Sequence, residues 1–354
     1  MDRRSAIQHL LEEEGAGAVL ISSPAHVRWL TGFSGSNGIV LADRTSTTLI
    51  TDGRYTVQAQ QEADVSRVSV AEADLYDHLL DSGLLPDGSP LLVQPEYLTG
   101  SQLERLRSRR SAADLRLGEG LFRRAVARKD PEEVDRIRKA QKVSEEVFDY
   151  LLRWIEPGFK EFEIAAEIVY QHLRRGVDRM AFEPIVAAGP NSAMPHARPS
   201  ARAVEPSDVL LLDFGCVWEG YACDMTRTIS IGDASDQVRR IYSVVLDAQQ
   251  RAIDGASAGV LTNALDRIGR SAIEDAGYGP YFPHSLGHGV GLEIHEWPRI
   301  SSQSFEHLPV HAVITIEPGI YLPDEFGVRI EDMVLLKNDG CENLTDVPKD
   351  LVEL

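Results

Sequence analysis

The chain has 354 residues, enough for two domains of ordinary size. Its hydrophobic content of 43% and charged content of 26% are typical of a soluble globular protein. The net charge of −19 argues against a nucleic-acid partner, because neutralising phosphates requires clustered Lys and Arg. We interpret this charge as serving solubility, and the less favoured alternative assigns part of it to metal binding and an acidic surface.

No apolar run approaches the ~18 residues that a membrane span needs, so no membrane partner is expected. The first residues, Met1–Ser5, lead into no apolar signal-peptide core. Three cysteines, Cys216, Cys223 and Cys341, form no C-x-x-C pair of zinc ligands. An odd, low count fits buried thiols in a reducing compartment, and we expect a cytoplasmic protein.

The first part of the chain alternates between helical and strand patterns, which predicts an α/β domain over residues 1–122. Ile7, Leu10 and Leu11 form one apolar helical face, and Gly15 and Gly17 follow it. No acids or histidines stand at ligand spacing here, so this domain alone predicts no function. The predicted strands are Ala18–Ser22, Gly38–Leu41, Thr47–Thr51, Arg67–Val70, Leu91–Gln94 and Asp114–Leu117.

A second domain is predicted over residues 123–354. Its first strong helix start is Asp130-Pro131-Glu132-Glu133, which combines a capping aspartate, proline in the first turn and acids facing the helix dipole. Further helices are predicted over about 161–175, 238–258 and 264–276. The predicted strands are Ala181–Ala188, Val209–Asp213, Val313–Glu317 and Val328–Leu336.

Asp213 directly follows three leucines of a buried strand, where an unpaired ionised carboxylate is costly. The segment from Asp213 to Asp224 predicts an antiparallel hairpin that brings a second acid beside the first. A turn at Trp218-Glu219 would place the two aspartates opposite one another. A turn at Glu219-Gly220 would place them diagonally on the same face. Either turn predicts two acids on one side of the hairpin.

Glu317 and Glu331 repeat this arrangement around a loop centred on Asp324. The two hairpins together suggest internal pseudo-symmetry. Four crowded carboxylates would take up protons unless cations lie among them. Carboxylates with one imidazole suit Mn, Co, Zn or Fe. Two such ions ~3.5–4 Å apart, bridged by carboxylates, would form a hydrolytic site.

The glycine-rich segment Gly287–Glu296 contributes two histidines to this hypothesis. His288 is the predicted fifth ligand, whereas His295 is the predicted donor to a developing oxyanion or a proton shuttle. His196 and His284 each follow a proline in a loop. Taken singly, such loop histidines are more often structural or solvated.

These residues resemble, in order and local motif, the metal ligands of the pita-bread metallopeptidases. Methionine aminopeptidases, aminopeptidase P and prolidase share that set. The resemblance covers the chain from about Asp130 onward. It rests on Asp213, Asp224, His288 in Gly-His-Gly-Val-Gly-Leu-Glu-Ile-His-Glu, Glu317 in Ile-Glu-Pro-Gly and Glu331 in Arg-Ile-Glu-Asp.

The N-terminal region is similar to the creatinase/prolidase N-terminal domain at Trp29-Leu-Thr-Gly-Phe-Ser-Gly-Ser-Asn and Thr51-Asp-Gly-Arg-Tyr. Methionine aminopeptidases lack such a domain, and creatinase lacks the ligands. The resemblance therefore implies an Xaa-Pro peptidase: an α/β (α+β) chain with a pita-bread catalytic domain of pseudo-two-fold symmetry. It also implies a homodimer that takes proline-containing peptides as substrate.

The resemblance further implies two divalent metal ions, most often manganese, and a bridging water or hydroxide as nucleophile. It assigns proton handling to Glu317. His295 and His196 would hold the substrate carbonyl and the tetrahedral intermediate. His284 would line the proline pocket, and Arg329 would support the site.

Arg299 bears on the choice between an aminopeptidase and a dipeptidase. It resembles the prolidase arginine that reads the proline carboxylate, yet it could equally line a cleft or face solvent. The chain has no obvious inserted loop to close the far end of the site, which favours the aminopeptidase. A non-catalytic peptide-binding relative and a creatinase-like amidinohydrolase are disfavoured, because no ligand is missing.

Overall fold

The structure, a computed structural model, describes residues 3–85, 88–109 and 114–354. The chain forms two compact units that divide between Val126 and Ala127. The division falls inside the short helix Arg123–Ala127, which directly follows the predicted boundary between residues 122 and 123. Within the described ranges, no helix has both the length and the apolar character that crossing a bilayer requires.

One mixed sheet of six strands organises the first unit. The strands are β1 (Ala18–Ile21), β2 (Gly38–Asp43), β3 (Thr47–Asp52), β4 (Arg67–Ala71), β5 (Leu91–Val93) and β6 (Leu115–Leu117). The helices are α1 (Arg3–Glu13), α2 (Pro24–Thr31), α3 (Thr56–Glu62), α4 (Leu75–Asp81), α5 (Gly100–Arg109) and α6 (Arg123–Ala127), with 3-10 turns at Gly53–Tyr55 and Pro95–Tyr97. The strand order is β4-β3-β2-β1-β5-β6, and the fully buried β1 pairs antiparallel with β2 and parallel with β5.

The predicted α/β character of this unit is confirmed. The ends of each predicted strand lie within two residues of the ends of an observed strand. Helix α2 occupies a stretch where no helix is predicted. The hydroxyl of Ser23 accepts a hydrogen bond from the His26 N–H, Pro24 occupies the first turn, and Gly32 ends the helix at φ 78°. These are ordinary helix-start and helix-stop signals in a short segment.

Four longer helices and thirteen strands build the described second unit. The helices are α7 (Pro131–Trp154), α8 (Glu161–Arg174), α9 (Asp236–Gly255) and α10 (Thr262–Asp275), with 3-10 turns at Gly189–Ala193 and Gly279–Tyr281. The strands of its first half are β7 (Arg179–Met180), β8 (Ile185–Ala188), β9 (Val209–Phe214), β10 (Cys216–Trp218), β11 (Tyr221–Ala222) and β12 (Met225–Ser230). Those of its second half are β13 (Gly287–Gly289), β14 (Glu296–Ile300), β15 (Val313–Ile316), β16 (Gly319–Leu322), β17 (Phe326–Arg329), β18 (Asp332–Lys337) and β19 (Gly340–Asn343).

Each half of this unit consists of a helix pair followed by antiparallel strands, which is the arrangement that two similar hairpins predict. Helices α7 and α8 share a buried apolar core with β8, β9 and β12. Helices α9 and α10 share another with β15 to β18. The sheets have the orders β11-β10-β7, β12-β9-β8, β14-β13-β15-β18-β19 and β16-β17.

Two predicted strands of this unit are wrong in extent. The stretch Ala181–Ala188 is extended only from Ile185, and Pro184, which has no N–H to donate to a ladder, directly precedes that strand. The stretch Val328–Leu336 is interrupted between β17 and β18, because the Glu331 N–H donates to the Thr226 carbonyl at 3.1 Å. The interruption places Glu331 beside β12.

Candidate active site

Asp213 and Asp224 lie on one antiparallel hairpin, as predicted. Asp213 ends β9 opposite Thr226 on β12, so Asp224 is diagonal to it. The turn is Glu219-Gly220, the second of the two predicted alternatives. Both turn residues have positive φ, 46° and 87°, which suits a two-residue hairpin turn. The two aspartates are 8% and 5% exposed, so this hairpin buries both acids.

Glu317 and Glu331 flank the second hairpin, formed by β16 and β17. Gly319 pairs with Arg329, so the pairing is centred on Asp324 as predicted. Continuing this register places Glu317 opposite Glu331. Glu331 is 2% exposed, and its Oε2 accepts a hydrogen bond from the Thr226 hydroxyl at 2.6 Å. Thr226 therefore links the second pair of acids to the hairpin of the first.

His288 lies between two glycines that strand packing requires. A Cβ on Gly287 would lie 2.1 Å from the Thr315 carbonyl oxygen, and one on Gly289 would lie 2.6 Å from that of Trp297. These close approaches allow the short strand β13 to run between β14 and β15. The Nδ1–H of His288 donates to the carbonyl of Gly289 at 3.0 Å, which leaves Nε2 as the acceptor facing the cavity.

A single cavity of about 640 Å³ collects every residue predicted for the site. The four acids and the four histidines line it together with Arg299 and Arg329. The predicted residues lining it are His196, Asp213, Asp224, His284, His288, His295, Arg299, Glu317, Arg329 and Glu331. A volume of this size is ordinary for a small-molecule or short-peptide site.

The donors fit divalent cations. His288 Nε2 lies 3.6 Å from Asp224 Oδ2 and 3.4 Å from Glu317 Oε1. One ligand atom each from Asp224, His288 and Glu331 fall within 4.8 Å of one another. Among the described residues, nothing donates a hydrogen bond to one buried oxygen each of Asp213, Asp224 and Glu331. Buried carboxylate oxygens without donors are costly, and a bound cation would satisfy them.

Arg329 forms an ion pair with one of the four acids. It is 3% exposed, and its Nη2 donates to Asp213 Oδ2 at 2.5 Å. Its Nη1 donates to the Tyr321 hydroxyl at 2.7 Å and to the Pro195 carbonyl at 3.2 Å. One guanidinium thus fixes a candidate ligand and the loop that carries His196. These contacts place Arg329 beside Asp213, and its supporting role stays a prediction.

The remaining histidines occupy different walls of the cavity. The His284 Nε2 accepts a hydrogen bond from the Tyr321 hydroxyl at 2.9 Å, while its Nδ1–H donates to the Ser285 carbonyl. The ring of His295 lies 4.4 Å from that of His288 in an edge-on contact. His196 is exposed and lines the cavity, three residues after the 3-10 turn Gly189–Ala193 ends.

Residues 135–338 match the family model of metallopeptidase family M24, and residues 3–125 match that of the creatinase/prolidase N-terminal domain. The chain belongs to metallopeptidase family M24. The predictions of a metallopeptidase and of the pita-bread fold are thereby confirmed.

Several relatives match over nearly the whole length of the chain. It is 34% identical to an Xaa-Pro dipeptidase from Pyrococcus furiosus, with 99% of each chain covered. The solved structure of an Xaa-Pro dipeptidase from Bacillus anthracis has a TM-score of 0.95 at 33% identity, covering 100% of this chain and 99% of that one. An X-Pro aminopeptidase from Thermotoga maritima has a TM-score of 0.90 at 39% identity, covering 98% and 100%.

Several contributors to this M24 site are absent from the sequence-based prediction. Phe182, Ile185 and Ile294 supply apolar wall, and nothing in their local sequence marks them. Tyr321 bonds to both His284 and Arg329. Its signal was available, because a hairpin centred on Asp324 places Tyr321 diagonal to Arg329 on the same face.

Glu161 holds the loop that carries His196. Its carboxylate is fully buried and accepts hydrogen bonds from the Ala188 N–H at 2.7 Å, from the Asn191 amide, and from the N–H and hydroxyl of Ser200. Glu161→Gln turns one acceptor into a donor facing these donors. We expect it to lower the free energy of unfolding by about 2 kcal/mol, measured by urea denaturation. Glu163→Gln, an exposed change two residues along, is the control and should cost under ~1 kcal/mol.

The metal affinity of this M24 protein is expected to rise with pH. In the metal-free protein, burial and the charge of Asp213 raise the pKa of Glu317 from 4.5 to about 7. The stability that this group contributes is fully present below pH 4.5 and is lost as the pH rises through 7. A cation must displace that proton, so affinity should increase from about pH 5 to pH 8.

Isothermal titration in buffers of different ionisation enthalpy would measure this effect. The expected result is net proton release on metal binding at pH 6 and less release at pH 8. Affinity independent of pH over this interval would contradict the raised pKa of Glu317.

Proposed function

We propose that the protein is a dinuclear-metal-dependent Xaa-Pro aminopeptidase, which hydrolyses the bond between an N-terminal residue and a following proline. The observation that carries the proposal is that five candidate ligands, four candidate substrate-contacting residues and the supporting Arg329 line one cavity. Likeness to proteins named X-Pro aminopeptidase and Xaa-Pro dipeptidase supports the same class of bond.

The metal ligands in this proposal are Asp213, Asp224, His288, Glu317 and Glu331. Manganese is the preferred ion, with zinc, cobalt or iron as alternatives. When bound, such ions would lower the pKa of a water and polarise the scissile carbonyl. The carboxylate oxygens that lack a donor among the described residues are where the protein offers coordination.

Glu317 is the proposed proton carrier. A pKa near 7 in the metal-free protein indicates a carboxyl that holds a proton more readily than an ordinary glutamate. The nucleophilic water gives a proton to the Glu317 carboxylate as its oxygen bonds to the carbonyl carbon. The same proton then passes to the proline nitrogen as the C–N bond breaks.

His295 and His196 are the proposed donors to the tetrahedral intermediate. Burial lowers the pKa of His295, so its neutral ring carries one N–H that can donate without a net charge. Such donors stabilise the negative charge that develops on the carbonyl oxygen. Truncating either ring should therefore lower kcat more than it raises KM.

His284 is the proposed neighbour of the proline ring. Burial lowers its pKa to about 3, so the ring is neutral and oriented by Tyr321 and Ser285. An Xaa-Pro bond is a tertiary amide without an N–H. An apolar wall that offers no acceptor for an N–H suits that bond, and Phe182, Ile185 and Ile294 supply apolar surface here.

A second cavity supports the aminopeptidase over the dipeptidase. It measures about 610 Å³ and shares His284, Ser285 and Arg299 with the first. Ser301, Gln303 and other polar residues also line it. Because the two cavities share wall residues, they are neighbours, and the second would give room to the residues that follow proline in a longer peptide.

Xaa-Pro dipeptidase activity is the second candidate, because Arg299 is exposed in the wall of both cavities. Among the described residues, none forms a hydrogen bond or ion pair with its guanidinium. An unpaired guanidinium next to the proline side could bind the carboxylate of a dipeptide.

The test strips the metal, restores manganese and compares Xaa-Pro with Xaa-Pro-Xaa and an Ala-Ala control. We expect metal-dependent cleavage of the tripeptide before proline. Cleavage of the dipeptide alone would overturn the aminopeptidase, and no cleavage with full metal loading would favour a peptide-binding relative. Arg299→Gln separates the two activities, since it should weaken dipeptide cleavage far more than tripeptide cleavage.

The proposal includes a homodimer in the cytoplasm. Native mass spectrometry of the metal-loaded protein would measure both the number of chains and the number of metal ions per chain. A monomer with full activity would remove the dimer from the proposal without affecting the peptidase.

A further inference from the structure

His295 depends on its backbone for its position. Its ring contacts His288, and within the described residues no side-chain hydrogen bond holds it. Residues 291–295 form neither helix nor strand. A ring that must meet a developing oxyanion within a few tenths of an ångström therefore needs its segment fixed by something else.

A buried ion pair anchors that segment at its C-terminal end. Lys129 Nζ lies 2.9 Å from Glu296 Oε1, and the two side chains are only 2% and 7% exposed. Glu296 directly follows His295, begins β14 and pairs with Gly289 just beyond a shift in the strand register between His288 and Gly289. Its other oxygen, Oε2, accepts a weak hydrogen bond from the Glu293 N–H at 3.4 Å, so the carboxylate joins Lys129 to the backbone of the 291–295 segment.

The lysine is itself rigidly held. Its backbone N–H donates to the His311 carbonyl at 2.9 Å, and its Nζ also donates to the Ala127 carbonyl at 3.3 Å. The next residue, Asp130, caps α7 through the N–H of Glu133. The ammonium therefore comes from a fixed helix start, not from a mobile surface chain.

Gly291 makes room for the pair. A Cβ there would lie 2.3 Å from Glu296 Oε2 and 2.8 Å from Lys129 Nζ. Its carbonyl accepts a hydrogen bond from the Ala222 N–H at 2.7 Å, two residues before Asp224. The ion pair therefore packs against Gly291 at the N-terminal end of the 291–296 segment, and Glu296 itself forms the C-terminal end.

We infer that Lys129 and Glu296 are positioning residues for His295. This inference rests on the proposed function, in which His295 donates to the tetrahedral intermediate. The ion pair fixes the 291–296 segment so that the imidazole meets the oxyanion without reorganisation. Neither side chain needs to touch the substrate for this role.

The double variant Lys129→Met/Glu296→Gln tests the role without leaving an uncompensated buried charge. We expect kcat for an Xaa-Pro-Xaa peptide to fall about 10- to 100-fold, with KM within about twofold, the metal content unchanged and the protein folded. A purely structural pair would move Tm and leave kcat in the folded fraction at the wild-type value, which would overturn the inference.

Gly291→Ala is an independent variant that disturbs the pair from the other side. Gly291 does not have a left-handed φ, and the three atoms nearest to an added Cβ belong to the two flexible side chains. We expect the same loss of kcat, and an unchanged kcat would overturn the inference even if the double variant did not fold. Glu342→Gln, which breaks ion pairs with Arg138 and Lys337 outside the cavity, is the control and should leave kcat unchanged.

Crystal structures of wild type and Gly291→Ala provide a readout that does not depend on activity. We expect the His295 ring to move by about 1 Å or more relative to His288 in the variant. An unmoved ring would contradict the inference. Absence of Xaa-Pro cleavage by the wild-type protein would instead count against the proposed function, and the ring position would still decide the role of the pair.

Discussion

Replacing Glu317 by glutamine is expected to lower kcat for cleavage before proline by about 10²- to 10⁴-fold, the range for loss of a general acid–base group. Glutamine keeps the size of the side chain and one carbonyl oxygen, but it cannot receive the proton of the attacking water. KM should change far less, because the peptide contacts remain. Steady-state kinetics on a manganese-loaded Xaa-Pro-Xaa assay would measure both constants.

Thr315→Val is the matched control for this substitution. The Thr315 hydroxyl donates to Glu317 Oε1 at 3.1 Å and accepts from the His288 N–H at 3.1 Å. Removing it should cost about tenfold or less, because the carboxylate itself survives. A Glu317→Gln protein that retained more than about a tenth of wild-type kcat with full metal content would refute the assigned role.

Asp224→Asn is expected to abolish one metal site and lower activity by more than about 100-fold, beyond the loss typical of a residue that only supports a ligand. The same change should stabilise the metal-free protein. Burial, followed by the charges of Glu331, Asp213 and Glu317, raises the pKa of Asp224 well above its ordinary value. A neutral amide removes that repulsion, so the metal-free Tm at pH 8 should rise.

Asp208→Asn is the control, and its expected effects on Tm and metal content are opposite to those of Asp224→Asn. Asp208 accepts two hydrogen bonds from Arg202, at 2.6 and 2.9 Å, and does not line the cavity of the candidate site. Its substitution should lower Tm and leave the metal content intact. Calorimetry with elemental analysis would test both variants. A metal-free Asp224→Asn protein less stable than the metal-free wild type would show that the acids are compensated without a cation.

Local pattern predicted more of this site than of the surrounding structure. The two hairpins follow from strand alternation and their turn residues, since an acid at each end of a symmetric segment must return to the same face. The pattern left two turns open for the first hairpin. The turn forms at Glu219-Gly220, where both residues have positive φ. This turn sets Asp213 opposite Thr226 and brings the Thr226 hydroxyl to Glu331.

The errors in strand extent have a similar cause. The Val328–Leu336 stretch is apolar except at Arg329, Glu331 and Asp332. It contains no glycine or proline that would predict an interruption of the strand. The break at Glu331 comes from a hydrogen bond to a strand about a hundred residues earlier in the chain. Sequence periodicity describes neighbours along the chain and contains no information about such a partner.

By itself, the sequence determined the candidate ligands, the two hairpins that carry the acids and the family resemblance. Each of these depends on short local motifs in the sequence. Only the tertiary structure decided the bond from Arg329 to Asp213, the bridge from His284 through Tyr321, and the Lys129–Glu296 pair that spans 167 residues. Contacts of this kind form when separate elements pack, because burial leaves each polar group in need of a partner from another element.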